Sequence, residues 1–369
     1  MSFIKEYIEK ETINRRNLLI ASAYGLGGVA ATGLMGAGMA RAAIADPTVA
    51  WSYRNRTNPY WNEIVTGGEA FLEGIGKSKD DLVHLINEGS SEKSLADVKA
   101  MLARTNGDLA LAIDTNDAPN ARPVVEACVE AGAYVSTLWN KTADMHPWDY
   151  GDNYVSHMSW SDEGPAEQTA RILLEAMGGK GGVVHLGGIA SNNPAIERLN
   201  GLKNALKDYP DVELLAAEPA DWDTQKANQV MSAFLTRFGD EINGVHCAND
   251  TIAYGVLEAL RAEGIDDMPI VSYDGNPQAV QLVAEKKILA TVFTNPHWGG
   301  GITASLAYHA AIGHFKPSDE PNEHREFNGP TIFVTPEDAV EFKANYLDDV
   351  PKYDWTDFWG PSNGPIVYK

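Results

Sequence analysis

VHCANDTIAYGVLEALRAEGIDDMPIVSYDGNPQAVQLVAEKKILATVFTNP, residues 245–296, alternates short apolar runs with longer amphipathic ones. GVHCA (244–248) reads as a buried strand, 250–262 as a helix, PIVSY (269–273) as a strand, 276–286 as a helix and ILATVF (288–293) as a strand. Polar residues stand where each of the first two strands ends: Asn249-Asp250 and Asp274-Gly275. Strand-helix alternation of this kind needs parallel strands, right-handed crossovers and helices on both faces. In such sheets ligands lie at the carboxyl ends of the strands.

The alternation extends through most of the chain. LVHLIN (82–87), LALAI (109–113), AYVSTL (133–138), GVVHL (182–186) and VELLAA (212–217) read as further strands. Helical stretches are predicted at 61–75, 92–104, 119–131, 163–177, 194–207, 223–238 and 297–313. An irregular stretch, WNKTADMHPWDYGDN (139–153), interrupts the pattern, and a new series begins near residue 155. The fold class expected is α/β, with two doubly wound parallel-sheet lobes joined by a hinge. Lobe one is expected to span 46–159 and 296–330, and lobe two 160–295. Residues 331–369 form a return strand and an acidic tail whose Tyr346, Tyr353, Trp355, Phe358 and Trp359 imply that it packs against a lobe.

The net charge of −22 over 369 residues argues against nucleic acid, which requires a basic face. Cys128 and Cys247 fall in apolar segments assigned to different lobes and are expected as buried free thiols. Residues 1–45 read as an export signal: a charged start ending in Arg15-Arg16, an uncharged Ala- and Gly-rich run from Ile20 to Met39, and A-x-A sites ending at Ala42 and Ala45. The arginine pair resembles a twin-arginine signal, with Asn14 in a place usually held by Ser or Thr. Gly25-x-Gly27-x-x-Ala30 imitates a dinucleotide fingerprint but lacks a preceding strand.

The 245–296 stretch closely resembles the second-lobe signature of type I periplasmic sugar-binding proteins, the ribose-binding family above all. TNPYWNEIVTGGEAF (57–71), NPAIERLNGLKNAL (193–206) and ADWDT (220–224) match it as well. The resemblance implies a periplasmic protein that captures a small sugar or polyol between closing lobes, as a monomer, for the membrane subunits of an ABC importer. Regulators that share this core carry a helix-turn-helix where this chain has its export signal. Ligand carriers for chemoreceptors use the same fold, and the sequence does not separate the two partners.

By the same resemblance Asn249, Asp274 and Arg198 grip ligand hydroxyls, Trp222, Tyr60 and Trp61 cover the ring faces, and Asn58 adds a polar contact. The residue types suit the task, because planar donors and acceptors match hydroxyl edges and aromatic rings match C–H faces. Other roles compete. Asn249-Asp250 can cap the helix that follows, and here Asp250 is read mainly as the cap and Asn249 mainly as the ligand group. Asp274 suits an Asp-Gly turn, Arg198 a solvated helix face beside Glu197, and aromatic residues at a helix start a core. Asp114, Trp139, Asn140, Trp160 and Thr294 complete the expected set, with Thr294 standing where ribose binders carry a longer glutamine. Trp139-Asn140 replaces an Asp-Arg pair of the ribose binders. This implies a less charged subsite suited to a polyol or deoxy sugar, unless the loop brings in Lys141 or Asp144. No catalytic motif and no metal-ligand spacing among the nine histidines is present, and neither an enzyme nor a cofactor is expected.

Overall fold

Five of the six strands of the first sheet come from one stretch of chain and meet edge to edge. They are β1 (Thr48–Tyr53), β2 (Val83–Ile86), β3 (Leu109–Asp114), β4 (Tyr134–Leu138) and β5 (Tyr154–Ser159); Glu326–Asn328 returns later as β11. They pair in parallel in the order β2-β1-β3-β4-β5-β11. A second parallel sheet takes β6 (Lys180–Gly187), β7 (Asp211–Pro219), β8 (Ile242–Cys247) and β9 (Ile270–Val271) in the order β7-β6-β8-β9. β10 (Thr291–Phe293) joins β12 (Ile332–Val334) antiparallel, so the return strand lies beside the second lobe. The computed structural model describes residues 43–366, and the export signal expected at 1–45 lies almost wholly outside them.

Both sheets reverse direction at their second strand. The order is 2-1-3 in the first sheet and 7-6-8 in the second, which opens a crevice at the carboxyl ends of β1 and β3 and of β6 and β8. Helices fill both faces. α1 (Pro59–Gly74), α2 (Ser91–Thr105) and α3 (Ala118–Ala131) serve the first sheet, together with α9 (Pro296–Ala311). α4 (Glu163–Ala176), α5 (Asn193–Leu206), α6 (Thr224–Phe238), α7 (Asp250–Ala262) and α8 (Pro277–Ala284) serve the second. Many start on a side-chain cap that satisfies an end N–H: Ser90, Asp117, Asp223 and Asn249 accept from the backbone three residues on.

The first core needs a close helix crossing. α1 and α9 touch backbone to backbone at Gly67 and Gly300, where an added Cβ would lie 1.8 Å from a carbonyl oxygen of the other helix. Trp51 sits beneath, donating from Nε1 to Gly300 O at 3.0 Å. The tail closes the same layer. Trp355 is buried against Gly74 and Gly301, and its carbonyl accepts from Ser305 Oγ at 2.6 Å. Trp359 stacks on His324 with ring centres 4.0 Å apart. Earlier in the tail, Phe342 and Tyr346 pack on Phe293 of β10. Residues 160–162, 294–295 and 329–331 carry the chain between the two lobes.

Three strands and one division of labour differ from the sequence reading. β1, β5 and β11 are not among the predicted strands, and β5 belongs to the first sheet although the new series was placed at residue 155. Cys128 and Cys247 are both buried and free, as expected.

Candidate functional site

Between the two crevices lies a cavity with about 360 Å³ of empty volume, lined by Arg54, Asn58, Tyr60, Trp61, Asp114, Trp139, Asn140, Asn192, Pro194, Arg198, Trp222, Asn249 and Asp274. Most of these residues sit at or just beyond the carboxyl end of a strand. Arg54 follows β1, Asp114 ends β3, Trp139-Asn140 follow β4, Trp222 follows β7, Asn249 follows β8 and Asp274 follows β9. Ten of the twelve residues expected from sequence meet here. Trp160 and Thr294 do not line the cavity. Trp160 lies behind Trp139, ring centres 4.3 Å apart, and donates from Nε1 to Pro330 O at 3.2 Å. Thr294 is fully buried in a segment between the lobes.

Arg198 is the best-anchored charge. Its Nε donates to Asp162 Oδ2 at 3.1 Å, and its Nη1 donates to Ala248 O at 2.8 Å and to Asp274 Oδ1 at 3.4 Å. Its Cζ lies 3.7 Å from the Tyr273 ring centre, with Trp139 and Trp222 at 5.4 and 5.7 Å. Burial works against this charge, but Asp162 and Asp274 more than offset it and raise the pKa. The solvated-face alternative therefore does not hold, since Arg198 is only 2% exposed. Asp162, fully buried, also accepts from Tyr273 Oη at 2.7 Å.

Asn249 does two things at once. Its Oδ1 caps α7 by accepting from Ile252 N at 2.9 Å, and its Nδ2 donates to Asp274 Oδ2 at 3.1 Å. The division of labour read from sequence is thus corrected: Asn249 is the cap. Asp250 turns inward instead, accepting from Ser272 Oγ, Thr291 Oγ1 and Asn276 N. The reason is steric, because the extended backbone of Asn249 aims its short amide at the first turn. Burial raises the pKa of Asp274, and the charge of Asp250 adds to the rise against the pull of Arg198.

The aromatic wall is held by strained backbone. Trp139, Trp222 and Asp274 have φ of 64°, 63° and 115°, a region that side chains other than glycine seldom occupy. Each costs about 1–3 kcal/mol, and such strain collects where function fixes a side chain. Trp222 packs against Gly188, where an added Cβ would be 1.9 Å from the indole. Trp139 Nε1 donates to Tyr60 Oη at 2.8 Å. Asn58 caps α1 through Tyr60 N at 3.0 Å, which orients Tyr60 and Trp61.

Arg54 and Asn192 escaped the sequence reading. Arg54 Nε donates to Asn116 Oδ1 at 2.9 Å, and its Nη2 lies 3.8 Å from Asp114 Oδ2. The signals available were its place just before TNPYW and that of Asn192 just before NPAIERL. Arg54 and Asp114 place charge beside Trp139-Asn140, Asp114 accepting from Asn140 Nδ2 at 2.7 Å. Lys141 and Asp144 do not enter: Lys141 pairs with Glu326 at 3.0 Å and Asp144 with Arg122 at 3.0 Å.

The cleft is closed. Asn193 N donates to Asn140 Oδ1 at 3.0 Å, Asn193 Nδ2 to Lys141 O at 2.9 Å, and Asn192 Nδ2 to Asn116 O, all between lobes. Two cations, Arg54 and Arg198, face two carboxylates, Asp114 and Asp274, with a third, Asp162, behind. Among the described residues no cluster suited to a metal ion occurs, and no helix is long and apolar enough to cross a membrane.

Residues 49–314 match the family model described as a periplasmic binding protein domain, and the chain belongs to that family. It is 28% identical to the D-allose-binding periplasmic protein of Escherichia coli over 71% of this chain and 84% of that one. It is 30% identical to the ribose import binding protein RbsB of Salmonella typhimurium over 69% of this chain and 81% of that one. A solved structure, a twin-arginine translocation pathway signal protein from Burkholderia phytofirmans, is 43% identical, with a TM-score of 0.84 over 88% of this chain and all of that one.

Proposed function

We propose that this periplasmic protein captures one neutral sugar or polyol by closing its two lobes and delivers it, as a monomer, to the membrane subunits of an ABC importer. The observation that carries the reading is the cavity itself: aromatic faces from both lobes surround paired arginines and carboxylates that already balance one another. An anionic ligand would add charge to a buried site whose nearest reserve, Asp162, is also negative. A neutral polyhydroxylated ligand instead donates to Asp114 and Asp274 and accepts from Arg54, Arg198 and Asn58. Lobe one is read as 46–159 with 296–330, and lobe two as 160–295. The ligand shifts the equilibrium toward the closed form by its greater affinity for it. Export through the twin-arginine route rests on Arg15-Arg16.

A thermal-shift panel of pentoses, hexoses, inositols and linear polyols, run beside amino acids and sugar acids, tests the reading. Stabilisation by a neutral member is expected. Stabilisation by charged members alone would overturn it.

A further inference from the structure

Two spaces meet at Arg54. Inward lies the cavity of about 360 Å³; outward lies a groove with about 1540 Å³ of empty volume that opens along the cleft. Arg54, Asn58 and Trp222 line both, so they form the partition between them. The partition is bonded across the lobes. Arg54 Nη2 from lobe one donates to Asn192 Oδ1 of lobe two at 3.4 Å, and Trp222 Nε1 donates to the same oxygen at 2.5 Å. Arg54 is fixed from behind by Asn116, through Oδ1 at 2.9 Å and the carbonyl at 3.3 Å. Trp222 is fixed by its contact with Gly188. Beyond the partition the groove is polar, with Asp221, Gln225 and Asn228 along it, and would suit a second hydroxylated unit.

We propose that Arg54, Asn192 and Trp222 form a gate that sets ligand length, confining the site to a single sugar-sized unit. The assignment rests on the sugar or polyol reading above and adds the size class to it. Arg54 is the determinant because its side chain spans the partition from one lobe and ends on the other. Closure completes the gate only when nothing passes through it. A ligand of two units would have to hold Arg54 away from Asn192 and leave a buried guanidinium and an amide oxygen without each other.

The test uses the mature protein and four probes, xylitol and sorbitol as single units and maltitol and lactitol as double ones, with dissociation constants from calorimetry. Wild-type protein is expected to bind a single-unit probe and to discriminate against the double units. Arg54→Ala joins the two spaces and should shrink that discrimination by at least about tenfold, whatever it does to absolute affinity. Arg54→Met keeps the bulk without the bonds and should weaken binding while preserving the preference. If Arg54→Ala does not fold, Asn192→Ala opens the gate from the other lobe and should narrow the ratio likewise. A ratio unchanged in the opened variants, or wild-type protein that binds both sizes equally, overturns the gate and leaves the sugar reading intact. Wild-type protein that binds none of the probes or any other neutral sugar sinks the sugar reading, and the gate with it.

Discussion

Asp162 and Asp274 both touch Arg198, and the structure assigns them opposite energetic roles. Asp162→Ala removes two charge-assisted hydrogen bonds, from Arg198 Nε at 3.1 Å and from Tyr273 Oη at 2.7 Å. Bonds to charged groups contribute about 1.5–3 kcal/mol each, and breaking a buried pair by deleting one partner costs about 3–5 kcal/mol. A loss of about 3–5 kcal/mol in unfolding free energy follows, a large share of the roughly 5–15 kcal/mol available to a folded domain. Burial raises the pKa of both carboxyls in the folded state, so what separates them is geometry. Asp274 is held less tightly, by Asn249 Nδ2 at 3.1 Å and Arg198 Nη1 at 3.4 Å, and it lines the cavity whereas Asp162 does not. Asp274→Asn keeps an acceptor for Asn249 Nδ2 and should change ligand-free stability by less than about 1 kcal/mol. It should weaken binding about tenfold or more, because the amide NH2 can only donate where a carboxyl oxygen can accept from a ligand hydroxyl. Urea unfolding without ligand and calorimetry with ligand read the two effects separately. Equal loss of stability in both variants, or an Asp162→Ala protein as stable as wild type, would refute the assignment.

Trp355→Ala should cost about 3–5 kcal/mol in urea unfolding, since the indole fills the notch between Gly74 and Gly301 and nothing nearby can replace it. His185 and His246 meet through their Nδ1 atoms at 2.9 Å, and burial lowers the pKa of His246 to about 4 from an ordinary 6.5. The unfolded chain therefore takes up protons first as pH falls below about 6.5, and this site alone should lose about 2 kcal/mol of stability between pH 7 and pH 5. His246→Leu should remove that part of the pH dependence, and an unchanged slope would show that the pair is not the source. Replacing Arg15 and Arg16 by lysine should block export of the precursor in fractionated cells; normal export would exclude the twin-arginine route.

What the sequence reveals and what it hides have a physical pattern. Asn249 and Asp274 were legible because each follows a recognisable apolar strand, and strand ends are where a doubly wound sheet presents ligands, whereas Trp222 was legible through the resemblance of ADWDT. Arg198 was legible only by resemblance, because on a helix beside Glu197 it looks solvated; its burial depends on Asp162 and Asp274, 36 and 76 residues away. Arg54 is the harder case. Its strand alternates aromatic and polar residues, and the charge-rich RNR that follows suggests an exposed turn. The partners that bury it, Asn116 and Asn192, are 62 and 138 residues distant, a separation that no local pattern encodes. Trp160 illustrates the reverse error. An indole near the lobe crossing suits a ligand wall, but Trp139 lies between it and the cavity.

Titration calorimetry of the mature protein with the neutral sugar or polyol that stabilises it most puts the central claim to the test. The account predicts one saturable site, heat that ends at saturation, unaltered ligand recovered afterwards, and thermodynamic stabilisation of about 2.7 kcal/mol at one hundred times the dissociation constant. Continuing heat with product formation, or no saturable binding by any neutral polyhydroxylated solute, would contradict it.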